Sequence, residues 1–137
     1  MRKPFDQKLH NENDKRARET SKKYIKKLGF TAVDNQDIYG PDLIVEGLCY
    51  VECEIKKYWR TNHYPYEQVR LPFRKKKFAI LDMPIVFYIW NDTCTTAIRI
   101  RGSQLCSAEV KEYKNSKVPK GEMFFWFNTK DLEIIKL

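Results

Sequence analysis

The sequence predicts a single α/β domain in which a mixed central β-sheet is flanked by helices. Segments with the 3.6-residue period of helices alternate with segments that have the two-residue period of strands. The 137 residues are the length of one ordinary domain, and no repeat or linker divides them. The predicted order is a helix, three strands, an irregular basic segment, two strands, a helix and a final strand.

The first helix is predicted over residues 13–28, because a row of side chains recurs on one face at helical spacing. That face carries Ala17, Ser21, Tyr24, Ile25 and Leu28. Gly29 follows, and glycine is the residue type that most commonly ends a helix. A short strand over 30–33 and a polar loop over 34–37 come next.

A β-hairpin is predicted over residues 42–57, with Gly47 at its turn. Its two strands are predicted at 42–46 and 49–57. Because side chains alternate across a strand, the apolar sets of both strands must point into the same core. A three-residue loop over 46–48 meets this requirement and places Asp42 opposite Glu52.

The second half of the chain begins with a basic, aromatic segment, residues 58–79, which predicts a loop and a short helix. The elements predicted after it are a buried strand over 84–90, a strand over 95–101, a helix over 103–113 capped by Ser103, and an aromatic strand over 122–127. Ala97 is expected to point outward, away from its two isoleucine neighbours. The last stretch, 131–137, is open between strand and helix.

The charge is strongly positive and uneven, with 26 basic residues against 18 acidic ones and a net charge of +8. Between Lys56 and Lys77 there are eight basic residues and a single acid, Glu67. Such a field attracts polyanions, although a basic run can also be no more than a solvated face. No apolar run reaches the roughly 18 residues of a membrane span, so no membrane partner is expected.

Four cysteines, Cys49, Cys53, Cys94 and Cys106, lack the paired spacing of zinc sites. The basic N-terminus has no apolar segment behind it and does not predict a secretory signal. We therefore expect reduced, largely buried thiols and a cytoplasmic protein, although a disulfide framework is arithmetically open.

The predicted hairpin brings Asp42, Glu52 and Glu54 to one face, together with Lys56. Three carboxylates repel one another unless positive charge lies among them. A divalent ion supplies that charge, and hard oxygen ligands favour Mg²⁺ or Mn²⁺ over zinc. Such an ion activates water and stabilises charge on a phosphate, while Lys56 could orient the water. The alternative is the solvent-facing side of an edge hairpin, kept soluble by its charges.

Pro41-Asp42, eleven further residues and Glu54-Ile55-Lys56, after a helix and a strand, resemble the PD-(D/E)xK nuclease superfamily over roughly residues 14–90. The resemblance implies a restriction-endonuclease-like αβββαβ core and Mg²⁺-dependent DNA cleavage, as in Holliday-junction resolvases, restriction endonucleases and phage recombination exonucleases. It makes Asp42 and Glu54 metal ligands and Lys56 the base that orients the water. Such enzymes are commonly dimers, so a homodimer is open, but the aromatic strand at 124–127 is expected to be core.

The motif departs from the family pattern in two ways. It also fits Glu52-Cys53-Glu54, with Glu54 where the family usually has lysine, and both registers stay open. The family's first helix often contributes an acid, and here Asp14 lies on the core face while Glu19 lies on the opposite one. Asp14 and Glu52 are thus further candidate metal ligands. For Asp14 the commoner alternative is the N-cap of the helix.

The segment after Lys56 mixes cations with aromatic side chains, which suits contacts with phosphates and stacking on exposed bases. The candidate nucleic-acid-binding residues are Lys57, Arg60, Tyr64, Gln68, Arg70, Arg74, Lys75, Lys76 and Lys77. At least two aromatic side chains of this segment are expected to cover the sheet instead.

Together these features predict a DNA nuclease, an endonuclease in the first place, with Mg²⁺ or Mn²⁺ as cofactor. Its catalytic residues would be Asp42, Glu52, Glu54 and Lys56, and its partner duplex, branched or single-stranded DNA. Two alternatives are an inactive nucleic-acid-binding module of the same fold, and a nuclease that acts on RNA or needs a partner protein.

Overall fold

The centre of the molecule is a six-stranded mixed β-sheet. The computed structural model describes residues 7–114 and 121–137, with side chains from Glu12 onward. A long helix, α1 (Gln7–Lys27), precedes the sheet. The strands are β1 (Ala32–Asp34), β2 (Leu43–Val45), β3 (Cys49–Lys56), β4 (Gln68–Pro72), β5 (Ile85–Asn91), β6 (Thr96–Arg101), β7 (Glu109–Tyr113), β8 (Glu122–Asn128) and β9 (Glu133–Lys136). Short 3-10 helices cover Phe73–Ile80, Gly102–Ser107 and Thr129–Asp131.

The strands divide between two sheets. The large sheet has the order β1-β2-β3-β5-β6-β9, and a second, antiparallel sheet has the order β4-β8-β7. In the large sheet β3 and β5 pair in parallel, whereas the other neighbours pair antiparallel. The predicted class, a single α/β domain with a mixed central sheet, is confirmed. On one side, however, the layer is a second sheet with 3-10 helices rather than α-helices.

Two apolar layers hold the domain together, one on each face of the large sheet. Under α1, Ala17 and Ile25 pack with strand residues such as Val51 and Trp90. The indole Nε1 of Trp90 donates a hydrogen bond to Ser21 Oγ at 2.8 Å, so a polar helix residue is satisfied inside this layer. On the other face, side chains from β5 and β6 meet the second sheet around Trp59. Burial on both faces explains the continuous apolar run of β5.

The β2–β3 hairpin has the predicted register. Val45 pairs with Cys49, which leaves residues 46–48 as the loop. Gly47 has a φ of +71°, a conformation that side-chain-bearing residues rarely adopt. Leu43, Val45 and Val51 are buried under α1, so the requirement that both apolar sets share one core is confirmed.

Three predicted boundaries were wrong in the N-terminal and basic segments. The helix begins at Gln7 rather than residue 13, because its polar first turns lack the apolar period on which the prediction depended. Leu28 lies beyond the helix and is half exposed. The basic segment contains β4, where Val69 and Leu71 alternate inward, a period-2 signal too short to stand out between two prolines.

The segment predicted as a helix over 103–113 is a 3-10 helix, Gly102–Ser107, followed by β7. Pairing of β7 with β8 supplies the backbone hydrogen bonds that a helix would have made internally. Ala97 is fully buried rather than outward, because α1 covers its face of β6. The ambiguous C-terminal stretch is β9, which pairs with β6 at the sheet edge.

Candidate functional site

The predicted acids meet where β2 begins beside β3. The last residue pair of the two strands is Leu43 with Val51, so beyond it the backbone of β3 has no strand partner on this side. Asp42 occupies that position: its Oδ2 accepts a hydrogen bond from the Cys53 N–H at 3.0 Å. Its own N–H donates to Glu52 Oε1 at 3.2 Å. The carboxylate therefore replaces a ladder partner and is held in place by the backbone.

Four acids line one cavity of about 420 Å³ at this end of the sheet: Asp14, Asp42, Glu52 and Glu54. Glu52 and Glu54 lie two residues apart on β3 and so share a face. The floor of the cavity is apolar and includes Leu71, Phe87 and Ile89. Apolar surroundings of this kind strengthen the electrostatic interactions of a buried carboxylate such as Glu52.

Asp14 reaches this cavity from the interior of α1. The helix starts seven residues earlier, so the N-cap alternative for Asp14 is wrong. Glu19 lines a different cavity, next to Lys22 and Lys23, and is not part of the acidic group. Helical spacing distinguished the faces of the two acids correctly, but the position of the helix start could not be determined from the sequence.

Glu52 has the most perturbed environment of the four. Its side chain is only 12% exposed. Burial, followed by the hydrogen bond and charge of Asp42, raises the pKa of Glu52 to about 8, while Lys75 opposes the shift without cancelling it. Burial and Asp42 likewise raise the pKa of the Cys53 thiol well above its ordinary value. Near neutral pH Glu52 therefore holds a proton, whereas the carboxyl group of an ordinary glutamate would be ionised.

Lys75 is the cation closest to Glu52: its Nζ contacts Glu52 Oε2. It lies on the 3-10 helix Phe73–Ile80, three residues before the buried Phe78 and thus on the same face of that helix. Its Nζ is also 5.5 Å from the centre of the Phe78 ring. From the sequence, Lys75 is predicted only as one of the candidate nucleic-acid-binding cations. Its contact with Glu52 distinguishes it from its neighbours, since Lys77 Nζ also lies near the Phe78 ring, 5.2 Å from its centre.

Glu54 and Lys56 form the wetter end of the cavity. Glu54 Oε1 lies 3.5 Å from Lys56 Nζ, and the Glu54 side chain is 42% exposed. Glu52 and Glu54 both line the cavity. A carboxylate is therefore present there whether the motif is Glu54-Ile55-Lys56 or Glu52-Cys53-Glu54. In the described part of the chain, no group of three or more Asp, Glu, His or Cys side chains stands ready around one metal position. Glu52 is directed to Lys75, and Glu54 to Lys56.

A second, larger cavity of about 640 Å³ begins at Lys56. We call it the aromatic groove; its lining is Lys56, Tyr58, Tyr64, Pro65, Tyr66, Glu67, Gln68, Arg70, Tyr113 and Trp126. Lys56 lies between this groove and Glu54, so the two cavities are neighbours. Tyr113 and Trp126 are not among the predicted site residues, because the segment containing Tyr113 is predicted as a helix and the whole strand containing Trp126 as core.

Some of the predicted nucleic-acid-binding residues pack against other side chains, and the others are exposed. Tyr64 is largely buried and packs edge-on against Trp59, with 5.2 Å between ring centres, so these two aromatics cover the sheet as expected. Arg70 packs on the Tyr113 ring. The exposed members are Lys57, Arg60, Gln68, Arg74, Lys76 and Lys77. Of these, Arg74 Nε lies 3.6 Å from Glu122 Oε1.

Comparisons with protein-family models, curated proteins and solved structures gave no match to this chain. Among the residues described, no helix has the length and apolar character to cross a membrane. All four cysteines are free; only Cys53 is buried, and Cys106 is exposed, so the expectation of largely buried thiols was wrong.

Proposed function

We propose that the protein is a divalent-metal-dependent nuclease that cleaves DNA, with Mg²⁺ or Mn²⁺ as its cofactor. The observation that carries the proposal is the acidic cavity of Asp14, Asp42, Glu52 and Glu54, which adjoins the basic, aromatic groove at Lys56. Polyanion binding explains the groove, but it does not explain why acids are concentrated beside it, since carboxylates repel phosphates.

The arrangement of elements gives further support to the PD-(D/E)xK resemblance. A helix, a short strand and a hairpin precede β5, which pairs in parallel with β3. The connection between β3 and β5 contains β4 and a 3-10 helix where the αβββαβ core of that superfamily has an α-helix. The acids lie at the start of β2 and along β3, the positions that the superfamily motif assigns to them.

The carboxylate oxygens suit a hard divalent ion, and no histidine is among the described residues that line the cavity. When bound, such an ion would lower the pKa of a water molecule and stabilise negative charge on the phosphate. Asp42, Glu52 and Glu54 would hold it, with Asp14 as a fourth acid. Lys56 would orient the water or the phosphate, because its ammonium group already lies beside Glu54 at the mouth of the groove.

Glu52 must lose a proton and release Lys75 before it can act as a ligand. Its raised pKa predicts that metal affinity increases with pH up to about 8. Lys75 would then be free to face a phosphate oxygen. Two lysines, Lys56 and Lys75, would thus flank the reacting phosphate, one from β3 and one from the 3-10 helix.

A second candidate is a nucleic-acid-binding module without catalysis. It is favoured by the pairing of Glu52 with Lys75 and of Glu54 with Lys56, which balances two of the acids without a metal. In that case the acidic cavity would be a structural ion-pair cluster, and the aromatic groove alone would be functional.

The deciding experiment incubates the purified protein with circular plasmid, branched DNA, single-stranded DNA and RNA, each with Mg²⁺, Mn²⁺ or EDTA. We expect metal-dependent nicking of the circular plasmid, which has no ends for an exonuclease. Asp42→Asn retains an oxygen acceptor for the Cys53 N–H and should fold, yet lose most activity. Glu19→Gln, outside the acidic cavity, is the matched control.

Two results would contradict the proposal. Binding of DNA without metal-dependent cleavage of any substrate would support the binding module instead. Equal cleavage by wild type and Asp42→Asn would exclude the acidic cavity as the site of chemistry. Manganese binding, measured by electron paramagnetic resonance, gives a second readout: Asp42→Asn should weaken it, whereas Glu19→Gln should not.

A further inference from the structure

The outer face of the second sheet carries aromatic rings that the large sheet does not cover. In β8, Phe125 and Phe127 point into the core, whereas Phe124 and Trp126 alternate to the other face. In the strand register Arg70 of β4 lies beside Trp126, and Tyr113 of β7 lies beside Glu122. A sheet face that buries nothing usually carries polar side chains, so this concentration of half-exposed aromatics needs an explanation.

Cations are stacked on these rings. Arg70 Cζ lies 3.6 Å from the centre of the Tyr113 ring and 5.1 Å from that of Phe124. Lys111 Nζ lies 4.6 Å from the centre of the Trp126 ring. A guanidinium stacked in this way keeps its edge N–H donors directed outward, where they can bind phosphate. The face therefore offers a flat guanidinium plane supported by aromatic rings, together with donors for anionic oxygen.

The aromatic groove extends this face toward the acidic cavity. Tyr58 and Tyr66 lie on its other side, with 5.5 Å between their ring centres in an edge-on arrangement. Its volume of about 640 Å³ is within the range of roughly 300–1,000 Å³ that ligand sites occupy. Two cations, Lys56 and Arg70, line it against one acid, Glu67, so anionic ligands are favoured.

We propose that the aromatic groove binds unpaired nucleotides of a DNA strand by stacking their bases on the exposed rings of Tyr58 and Tyr66 and on the guanidinium plane of Arg70, which packs on Tyr113 beside Trp126. Arg70 and Lys56 would hold the backbone, and the phosphate beyond Lys56 would enter the acidic cavity. Bases in an intact duplex are already stacked and paired, and their faces are not available to aromatic side chains. The preferred substrate is therefore single-stranded DNA or a duplex with an unpaired segment.

This inference deepens the proposed nuclease function, because it names the substrate class of the same site. Its test uses binding in EDTA, where cleavage plays no part. Trp59 and Trp90 are completely buried, so Trp126 is the one half-exposed residue among the three tryptophans of the chain. Titration with an oligothymidine strand should quench tryptophan fluorescence, whereas a blunt duplex of equal length should quench it much less.

Variants of the groove give the second measurement. Tyr66→Leu removes a stacking ring, and Tyr113→Leu removes the ring on which the Arg70 guanidinium packs; both keep an apolar side chain, and each should weaken oligothymidine binding about 5- to 150-fold in an anisotropy assay. Tyr66 is 57% exposed, so its replacement should not affect folding. Tyr39→Leu is the matched control, since Tyr39 is 79% exposed and lines a different cavity.

Equal affinity for duplex and single strand, or unchanged binding by both groove variants, would overturn the inference. So would tight oligothymidine binding that leaves tryptophan fluorescence unchanged. These outcomes are independent of catalysis. Oligothymidine binding with quenching but without any cleavage would refute the nuclease proposal and leave the groove assignment intact. Metal-dependent cleavage without preferential single-strand binding or quenching would refute the groove assignment and leave the nuclease proposal intact.

Discussion

The acidic cavity and the aromatic groove share Lys56 as a neighbour, yet they differ in almost every physical respect. In the cavity, Glu52 is buried, paired with Lys75 and close enough to Asp42 for its pKa to rise to about 8. In the groove, at least half of the surface of Tyr58 and of Tyr66 is exposed to water. Burial makes electrostatics strong and sensitive to protons, whereas exposure leaves them weak and sensitive to salt. The first environment suits chemistry and the second suits reversible binding.

The largest expected effect separates these two roles. Asp42→Asn should lower metal-dependent cleavage by about 100-fold or more, because it removes a charged ligand at a position where charge develops. Its affinity for oligothymidine in EDTA should stay within about twofold of wild type. Tyr66→Leu should show the opposite pattern when cleavage is measured at saturating DNA. Comparable losses of both binding and cleavage in both variants would mean that the two cavities do not have separate roles.

A smaller effect is expected from two neighbouring lysines that occupy different environments. Lys75→Ala removes the partner of the buried Glu52 and should reduce the free energy of unfolding by about 1–3 kcal/mol at pH 8.5. At pH 6 the loss should be smaller, because Glu52 then holds its proton. Lys76→Ala, at an exposed position, should change stability by less than about 0.5 kcal/mol. Urea unfolding of both variants at both pH values is the measurement, and equal losses of stability in the two variants would contradict the pairing of Lys75 with the buried Glu52.

The protonation of Glu52 gives a prediction of comparable size. The folded protein binds this proton more tightly than the unfolded chain, whose glutamates titrate near 4.5. Stability of the metal-free protein should therefore fall as the pH rises from about 5 to 8. With a pKa of about 8 in the folded protein, the fall between pH 5.5 and 8.5 should be about 3 kcal/mol, and Glu52→Gln should remove most of it. Urea unfolding in EDTA at pH 5.5 and 8.5 tests it, and an unchanged pH dependence in Glu52→Gln would place the titrating group elsewhere.

The smallest effect concerns salt. Lys76→Ala and Arg74→Ala should each weaken DNA binding only a few-fold and reduce the slope of log affinity against log salt by about one. Anisotropy titrations between 50 and 200 mM salt are sufficient to measure this. Slopes equal to that of wild type would remove this end of the 3-10 helix from the interface.

The half of the site that could be predicted from the sequence depends on local geometry. The hairpin register followed from strand parity and Gly47, and it correctly placed Asp42 beside Glu52. Helical spacing gave the correct face of Asp14, although the helix start was not predictable from a polar segment. The other half depends on distant pairing. Lys75 contacts Glu52 across a separation of 23 residues, and Tyr113 joins Arg70 because β7 and β4 both pair with β8.

The pairing of β4 with β8 has a consequence for how the molecule assembles. The innermost pair of this ladder is Pro72 with Phe124, so closing it requires a loop of about fifty residues, whereas the β2–β3 turn closes a loop of only three. Loop closure of that length is entropically slow, and we expect the helix–hairpin unit to acquire protection from hydrogen exchange before the second sheet does. The acids would then be gathered early during refolding, and the ability to hold a DNA strand would be acquired last.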